Sequence, residues 1–198
     1  TASNCSYEAV SAVVSAASDG DTVLIPAGTA TWSSTLIVTN AIQLIGAGKA
    51  STIINNNVGT VIRFSGTQDK FIRLSGIRVN SPDETISIVE LVGPITKARI
   101  DNCLFNKGDN AIATNLWIPG SGPVYGVVDH CEFYNMSRPY FPTDHRQGER
   151  EYGTIAWAEW DADKESFPGS GKMMYLEDNQ FIWNSDMTWN NCQAAIYG

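Results

Sequence analysis

Four segments of the chain align with one another without gaps, and most of them are 26 to 30 residues apart. They read FIRLSGIRV (71–79), KARIDNCLF (97–105), YGVVDHCEF (125–133) and MMYLEDNQF (173–181), and AIQLIGAG (41–48) matches their first part. The apolar anchors of these segments are Leu44, Leu74, Ile100, Val128 and Leu176. A unit of this size cannot bury its apolar face alone, so the repeats are predicted to stack into a solenoid with a continuous core.

The same alignment places two further kinds of residue at fixed positions. Two positions after the anchors stand residues that tolerate a positive φ, namely Gly46, Gly76, Asn102, His130 and Asp178. Three positions further on lie the large apolar residues Val79, Phe105, Phe133 and Phe181. Each repeat is therefore predicted to be a strand, a one-residue left-handed bend and a second strand. About five or six such coils, stacked ~4.8 Å apart, would form an all-β parallel β-helix with the phenylalanines in one ladder.

A short amphipathic segment precedes the repeats. Within residues 6–17, SYEAVSAVVSAA, small and apolar side chains recur on one helical stripe. Ser6 is a suitable N-cap and Gly20 is a suitable stop signal. We predict one N-terminal α-helix over 6–17 that caps the apolar end of the solenoid.

The stretch after this helix carries a family resemblance. DGDTVLIPAGTATWSSTLIVTNAIQLIGAG (19–48) resembles the entry into the right-handed parallel β-helix of the pectate lyase and pectin lyase superfamily, in which a capping helix precedes GDTVLIPAGTY and ITLIGAG. At the level of fold the resemblance covers essentially the whole chain. It implies an all-β, right-handed parallel β-helix. This fold serves lyases, hydrolases, esterases, tailspikes and adhesins, so the resemblance points to an architecture more than to an activity.

The C-terminal end of the predicted solenoid is open. Residues 190–198, NNCQAAIYG, are typical of a strand that leads into another coil. An uncapped end would expose strand edges and core side chains. We therefore predict that residues 1–198 form one β-helix domain, the N-terminal part of a longer protein. The alternative is that a partner, such as a second copy of the chain, covers this end.

Composition limits the partners and the chemistry. The 13 Lys and Arg against 21 Asp and Glu give a net charge of −8, which argues against nucleic-acid or anionic-membrane binding. No apolar run approaches the ~20 residues of a membrane-spanning helix. The four cysteines contain no CxxC pair, so no zinc site is indicated. Cys103 and Cys131 align in adjacent repeats and are predicted to be buried thiols rather than a disulfide.

An acidic column follows the apolar anchors. VVDHCEF (127–133) resembles the WIDH stretch of pectate lyases, and this resemblance implies that Asp129 helps to bind calcium. Asp101 and Glu177 occupy the same position in the neighbouring repeats, so the candidate Ca²⁺ ligands are Asp101, Asp129 and Glu177. Ca²⁺ takes six to eight oxygen ligands, so loops would have to supply the others. The alternative is a structural row of acidic side chains that face solvent.

The interval of 48 residues between the last two anchors predicts an inserted loop over 138–170. Its candidate catalytic residues are Asp144, His145, Arg146, Arg150, Glu159 and Asp161, and its candidate substrate-binding residues are Tyr140, Tyr152, Trp157 and Trp160. Carboxylates, cationic groups and aromatic rings are what a carbohydrate site uses, and loops on rigid scaffolds carry binding residues. A solvated, salt-bridged loop is the alternative.

Two classes of function fit these observations. The first is a secreted β-helix that binds an extracellular polysaccharide or cleaves it, as a lyase or as a glycoside hydrolase. The second is a non-catalytic structural or adhesive β-helix, such as a viral tailspike-like or surface assembly protein. Both place the protein outside the cell or on a virion or cell surface. The packing of loop 138–170 would separate them: over a groove it favours an enzyme, and against a neighbouring chain it favours assembly.

Overall fold

The computed structural model describes residues 1–66, 69–81, 87–107, 114–118, 124–134, 138–142 and 174–182. One α-helix, α1 (Tyr7–Ala16), precedes the strands of this part of the chain. Coil 1 comprises β1 (Thr22–Ile25), β2 (Gly28–Trp32) and β3 (Leu36–Val38), and coil 2 comprises β4 (Gln43–Gly46), β5 (Thr52–Asn56) and β6 (Ile62–Ser65). Coil 3 comprises β7 (Phe71–Ser75), β8 (Arg78–Ser81) and β9 (Ser87–Val92), and coil 4 comprises β10 (Ile95–Asp101), β11 (Leu104–Lys107) and β12 (Thr114–Ile118). Coil 5 comprises β13 (Val124–Asp129), β14 (Glu132–Tyr134) and β15 (Arg138–Pro142), and coil 6 contributes β16 (Met174–Glu177) and β17 (Gln180–Ile182).

These strands form three parallel sheets that run along the solenoid. The first sheet has the order β1-β4-β7-β10-β13-β16, the second has β2-β5-β8-β11-β14-β17, and the third has β3-β6-β9-β12-β15. Each of coils 1 to 5 therefore adds one strand to each sheet, and coil 6 adds one described strand to the first sheet and one to the second. The parallel β-helix expected from the sequence is confirmed.

The apolar anchors stack in register through the first sheet. Leu44 pairs with Leu74, Ile100 with both Leu74 and Val128, and Val128 with Leu176. Four of the five are buried, and Leu176 packs against the core as a partly buried residue. Because successive side chains of a strand point to opposite faces, the neighbouring residues on these strands lie on the outer face of the first sheet.

Left-handed bends join the first sheet to the second. Gly76, Asn102, His130 and Asp178 have φ values of 67°, 52°, 54° and 51°. The prediction of a bend is wrong for Gly46, which lies within β4 and outside the left-handed region. Glycine is needed there for space, because a Cβ at this position would lie 2.3 Å from the carbonyl oxygen of Gly76.

The predicted aromatic ladder is present on the inner face of the second sheet. The rings of Phe105 and Phe133 stack with centroids 5.5 Å apart, and those of Phe133 and Phe181 stack with centroids 5.1 Å apart. Val79 pairs with Phe105 and continues the ladder into coil 3. Cys103 and Cys131 are buried free thiols, as predicted, and burial raises the pKa of Cys103.

The N-terminal helix caps the first coil, as predicted. The Ser6 hydroxyl accepts a hydrogen bond from the amide of Ala9 and so begins α1, which ends at Ala16. Val10 and Val14 are buried on the side of α1 that contacts coil 1. No helix among the described residues is long and apolar enough to cross a membrane.

The first five residues of the predicted insertion form a strand. Residues 138–142 form β15, which pairs with β12 in the third sheet instead of opening a loop. Tyr140 pairs with Leu116, whose own partner is Val89, a buried residue of β9. Residues 143–170, like Cys192, lie outside the described part of the chain.

Candidate functional site

The outer face of the first sheet carries a ladder of arginines and aspartates. Arg73 and Arg99 are in register on β7 and β10, and Asp101 and Asp129 are in register on β10 and β13. Each arginine reaches across to the aspartate of the following coil. Arg73, Asp101, Arg99 and Asp129 are called the arginine–aspartate ladder below.

Both pairs of the ladder are bidentate. Arg73 donates from Nε and Nη2 to the two carboxylate oxygens of Asp101, at 2.7 and 2.6 Å. Arg99 donates from the same atoms to Asp129, at 3.0 and 2.8 Å. Ser75 and Asn102 donate further hydrogen bonds to Asp101, at 3.0 and 2.6 Å. Charge-assisted bidentate pairs of this kind are stronger than neutral hydrogen bonds and fix the geometry.

These contacts keep both carboxylates ionised. Burial would raise the pKa of Asp101, which is 0% exposed, but hydrogen bonds from Arg73, Asn102 and Ser75 outweigh it and hold the pKa below its ordinary value. Burial would likewise raise the pKa of Asp129, and hydrogen bonds from Arg99 and His130 lower it. The hydrogen bond from Arg99 to Asp129 raises the pKa of that arginine in turn. The ladder is therefore fully charged at neutral pH.

His130 extends the ladder at the bend that follows β13. Its Nδ1 lies 2.8 Å from Oδ2 of Asp129, the oxygen that also accepts from Nη2 of Arg99. The carboxylate therefore holds Nδ1 as the protonated nitrogen in the neutral ring. Nε2 lies 3.9 Å from Oδ2 of Asp178, beyond hydrogen-bond distance, so it is left as an acceptor on a side chain that is 57% exposed. An imidazole oriented in this way can act as a general base.

The three candidate calcium ligands differ in burial. Asp101 and Asp129 are buried, so the expectation of a solvent-facing acidic row is wrong for both. Glu177 pairs with Asp129 in the next coil and is exposed, as expected. Among the described residues, no group of three or more His, Cys, Asp or Glu side chains could hold a metal ion. Calcium binding by Asp101, Asp129 and Glu177 stays a prediction.

A third buried carboxylate lies on the third sheet. Glu90 accepts hydrogen bonds from Thr60 and Ser87 at 2.6 and 2.8 Å through Oε1. Its Oε2 accepts from Nε of the half-exposed Arg63 at 2.6 Å. Burial would raise the pKa of Glu90, but these three donors lower it below its ordinary value.

The predicted loop site cannot be compared with this geometry. Beyond β15, the described residues do not include the candidate catalytic residues Asp144, His145, Arg146, Arg150, Glu159 and Asp161, or the candidate binding residues Tyr152, Trp157 and Trp160. Their roles stay predictions. Tyr140 is described only by its register position in β15.

Sequence reasoning missed the cationic half of the ladder. Arg73 and Arg99 each stand one residue before an apolar anchor, and the aspartates each stand one residue after one. This offset recurs in successive repeats, and it is the signal that could have revealed the pairs. Arg63 and Glu90 lie in coils whose third strands were not aligned, so no comparable signal was available for them.

The charged carboxylates predict a loss of stability in acid. Asp101, Asp129 and Glu90 have folded pKa values below their ordinary values of 3.8, 3.8 and 4.5. Their contribution is fully present above those ordinary values and is lost as the pH falls through the lower folded values. Urea unfolding should therefore give a free energy that is nearly constant from about pH 7 to 5 and falls steeply between about pH 4 and 2. A free energy that stays constant down to about pH 2 would contradict the ionised, paired state.

Comparison with known proteins gives a likeness of fold. No protein-family model and no curated protein matches this sequence. Among solved structures, the PL6 family alginate lyase AlyGC is similar, with a TM-score of 0.51 and 15% sequence identity. The two proteins share the parallel β-helix fold. The resemblance to lyase-type parallel β-helices is thus confirmed for the architecture.

The extent of the match differs between the two proteins. It covers 88% of this chain and 27% of the alginate lyase, so the chain spans about a quarter of that protein's length. At this identity the likeness concerns the fold alone, because one fold hosts many chemistries.

Proposed function

We propose that the protein binds and cleaves a polysaccharide, and that Arg99, Asp129 and His130 take part in the cleavage. The observation that carries this proposal is the orientation of His130, whose Nδ1 is held by Asp129 while the ring stays 57% exposed. The parallel β-helix shared with a polysaccharide lyase supports it. The finer proposal is a secreted or surface-located protein that acts on an extracellular polysaccharide.

Elimination is the reaction that this geometry suits best. In a uronate polymer, a base removes the proton next to the carboxylate, a double bond forms between C4 and C5, and the bond from C4 to the glycosidic oxygen breaks. Nε2 of His130 would accept the proton. The free Nη1 of Arg99, on a side chain that is 44% exposed, would neutralise the carboxylate of the sugar. Water would protonate the departing oxygen.

Hydrolysis fits the described residues less well. Glycosidases use two carboxyl groups, of which one must be protonated to donate to the leaving group. Asp101 and Asp129 are neighbours in register, but the pKa of each is lowered by its arginine. Neither can serve as the protonated acid at neutral pH. A hydrolase would have to draw its acid from loop 138–170, where Glu159 and Asp161 are the proposed catalytic carboxylates.

The remaining parts of the site are proposed from sequence. The loop would add Asp144, His145, Arg146 and Arg150 to the catalytic groups and would add Tyr152, Trp157 and Trp160 as contacts for sugar rings. Tyr140 of β15 would be a further contact for a sugar ring. Ca²⁺ held by Asp101, Asp129 and Glu177 would assist in neutralising an acidic substrate. Asp101 and Asp129 would have to exchange arginine contacts for the ion.

A substitution of His130 tests the proposal. The His130→Asn variant keeps a side chain that suits the bend, since Asn102 adopts a φ of 52° at the same place in coil 4. Removing a general base should lower the rate at least about 100-fold. The assay incubates the full chain with alginate, with pectate and with a neutral polysaccharide. Ultraviolet absorbance measures the unsaturated uronate product, and reducing ends measure all cleavage.

The Asp69→Asn variant is the matched control, because Asp69 is an exposed residue at a φ of 59° away from the ladder. It should keep full activity. New reducing ends without ultraviolet absorbance would show that the cleavage is a hydrolysis and not an elimination. Full activity of the His130→Asn variant would show that His130 takes no part in the reaction.

A non-catalytic structural or adhesive role is the second proposal. It is favoured by the pairing of Arg73 and Arg99, since the carboxylates of Asp101 and Asp129 already occupy two nitrogens of each guanidinium. Under this proposal the ladder stabilises the stacking of coils, and no tested polysaccharide is cleaved. Sedimentation of the full chain should then show self-association.

A further inference from the structure

The outer face of the second sheet carries a column of amides and one tyrosine. Asn55 pairs with Asn80, Asn80 with Asn106, and Asn106 with Tyr134, so the four residues lie in register on β5, β8, β11 and β14. All four are half-buried. Arg78 lies two residues before Asn80 on the same face of β8. Asn55, Asn80, Asn106 and Tyr134 are called the amide column below.

Arg78 differs from the other arginines whose side chains the structure describes. Arg63, Arg73 and Arg99 each form an ion pair with a carboxylate, at distances of 2.6 to 2.8 Å. No described carboxylate forms an ion pair with Arg78. The nearby Lys49 and Glu132 neutralise each other at 2.7 Å, so they do not compensate Arg78. In a chain with a net charge of −8, this guanidinium is left without a counter-charge among the described residues.

The guanidinium of Arg78 is nevertheless oriented. Its Nε donates to Oδ1 of Asn80 at 2.7 Å. The Nδ2 of Asn80 donates in turn to Oδ1 of Asn55 at 2.9 Å. Two neutral amides thus fix the guanidinium through Nε, and Nη1 and Nη2 make no hydrogen bond to a described residue. A planar fork of free N–H groups is the donor arrangement that matches a carboxylate or a sulfate.

The other end of the amide column offers unsatisfied polar groups. In the described part of the chain, neither the amide of Asn106 nor the hydroxyl of Tyr134 has a hydrogen-bond partner. The half-buried Leu104 lies beside Asn106 on β11, in register with Arg78. Tyr134 lies two coils away from Arg78, a separation of ~10 Å along the solenoid. An amide, a hydroxyl and an aromatic ring beside an apolar side chain are suited to bind a sugar.

We propose that Arg78, Asn106 and Tyr134 form a binding site for an acidic saccharide on the outer face of the second sheet. The carboxylate or sulfate of one sugar residue binds Nη1 and Nη2 of Arg78. The hydroxyls of the next residue bind Asn106 and Tyr134. The ligand is chosen by charge complementarity with the uncompensated guanidinium. That the ligand is a saccharide rests on the proposed function, whereas the site itself is separate from the ladder on the first sheet.

Calorimetric titration of the full chain with a uronate tetrasaccharide prepared from alginate tests this site. The titrations use the His130→Asn background, so that cleavage does not consume the ligand. The Arg78→Gln variant should bind at least about 10-fold more weakly, since hydrogen bonds to charged groups contribute that much. Arg78→Lys should recover only part of the loss, because a point charge cannot reproduce the fork. Asn106→Ala should weaken binding about threefold to 10-fold.

The matched control is Lys97→Gln, which removes one exposed positive charge from the first sheet. It should leave the affinity within about twofold of the parent. A neutral tetrasaccharide of glucose should bind the parent chain much more weakly than the uronate does. Circular dichroism and thermal unfolding of each variant establish that the fold is retained.

Three results would overturn the site: no uronate binding by the parent chain, equal losses for Arg78→Gln and Lys97→Gln, or equal affinity for the neutral sugar. The outcome is independent of the cleavage assay. Cleavage with unchanged binding by Arg78→Gln refutes this site and leaves the proposed function standing. Binding that depends on Arg78, without cleavage of any polymer, supports the site and refutes the enzymatic proposal.

Discussion

Replacing Trp32 by alanine is expected to lower the free energy of unfolding by about 3–5 kcal/mol. Trp32 is 0% exposed, and it ends β2 beneath the capping helix. Its ring meets that of Tyr7 edge to face, with centroids 5.8 Å apart, and its Nε1 donates to the carbonyl oxygen of Cys5 at 3.0 Å. The substitution would remove the largest fully buried side chain among the described residues and leave a cavity between α1 and coil 1.

Urea unfolding followed by circular dichroism measures this loss. Trp32→Phe is the matched variant, since it keeps an aromatic ring and most of the apolar volume but removes the indole N–H. It should cost about 1–2 kcal/mol, the penalty for leaving the carbonyl of Cys5 without its partner plus a small loss of packing. Equal costs for the two variants would show that the hydrogen bond, rather than the cavity, dominates. A loss below about 1 kcal/mol for Trp32→Ala would contradict the capping role of α1.

Replacing Asp101 by asparagine should lower the free energy of unfolding by about 3 kcal/mol. This is the lower end of the range for breaking a buried ion pair, because Arg73 is partly exposed and can regain water. The substitution keeps the shape of the side chain but places an amide N–H₂ among donors from Arg73, Ser75 and Asn102. Denaturant titration at neutral pH measures the change.

The Asp178→Asn variant makes the same chemical change at a side chain that is 76% exposed. It should alter stability by less than about 0.5 kcal/mol, because an exposed carboxylate whose ion-pair contact among the described residues is the 3.9 Å approach to Nε2 of His130 contributes little. The Asp101→Asn variant should also lose less stability than the parent chain between about pH 4 and 2, since one of the titrating carboxylates is gone. Similar effects of both variants at neutral pH would mean that the ion pairs of the ladder stabilise the fold no more than an exposed surface charge does.

Much of the architecture could be predicted because every coil of a solenoid needs the same kinds of residue at the same positions. The anchors Leu74 and Ile100 and the phenylalanine ladder recur at the same positions of successive repeats, and each coil meets the same kind of neighbours as the last. The bend at Gly46 was predicted wrongly because glycine serves two purposes. At Gly76 it supplies a positive φ, and at Gly46 it admits the carbonyl oxygen of Gly76. Residue type alone does not distinguish them.

The candidate site was less predictable because it depends on contacts between coils. Sequence placed Asp101 and Asp129 in one column, but the diagonal reach of Arg73 and Arg99 decides that both carboxylates are buried and paired. The uncompensated Arg78 was hidden for the same reason. That no described carboxylate forms an ion pair with it depends on its neighbours in the second sheet, where the carboxylate of Glu132 pairs with Lys49.

The sequence by itself determined the coil, the stacking order and the helical cap, since periodic apolar burial and backbone sterics act within one repeat and its copy. Only the tertiary structure decided which charged side chains form ion pairs. The reach and direction of a long side chain across two strands ~4.8 Å apart depend on the twist and register of the sheet. These are collective properties of the stacked coils, and no single repeat encodes them.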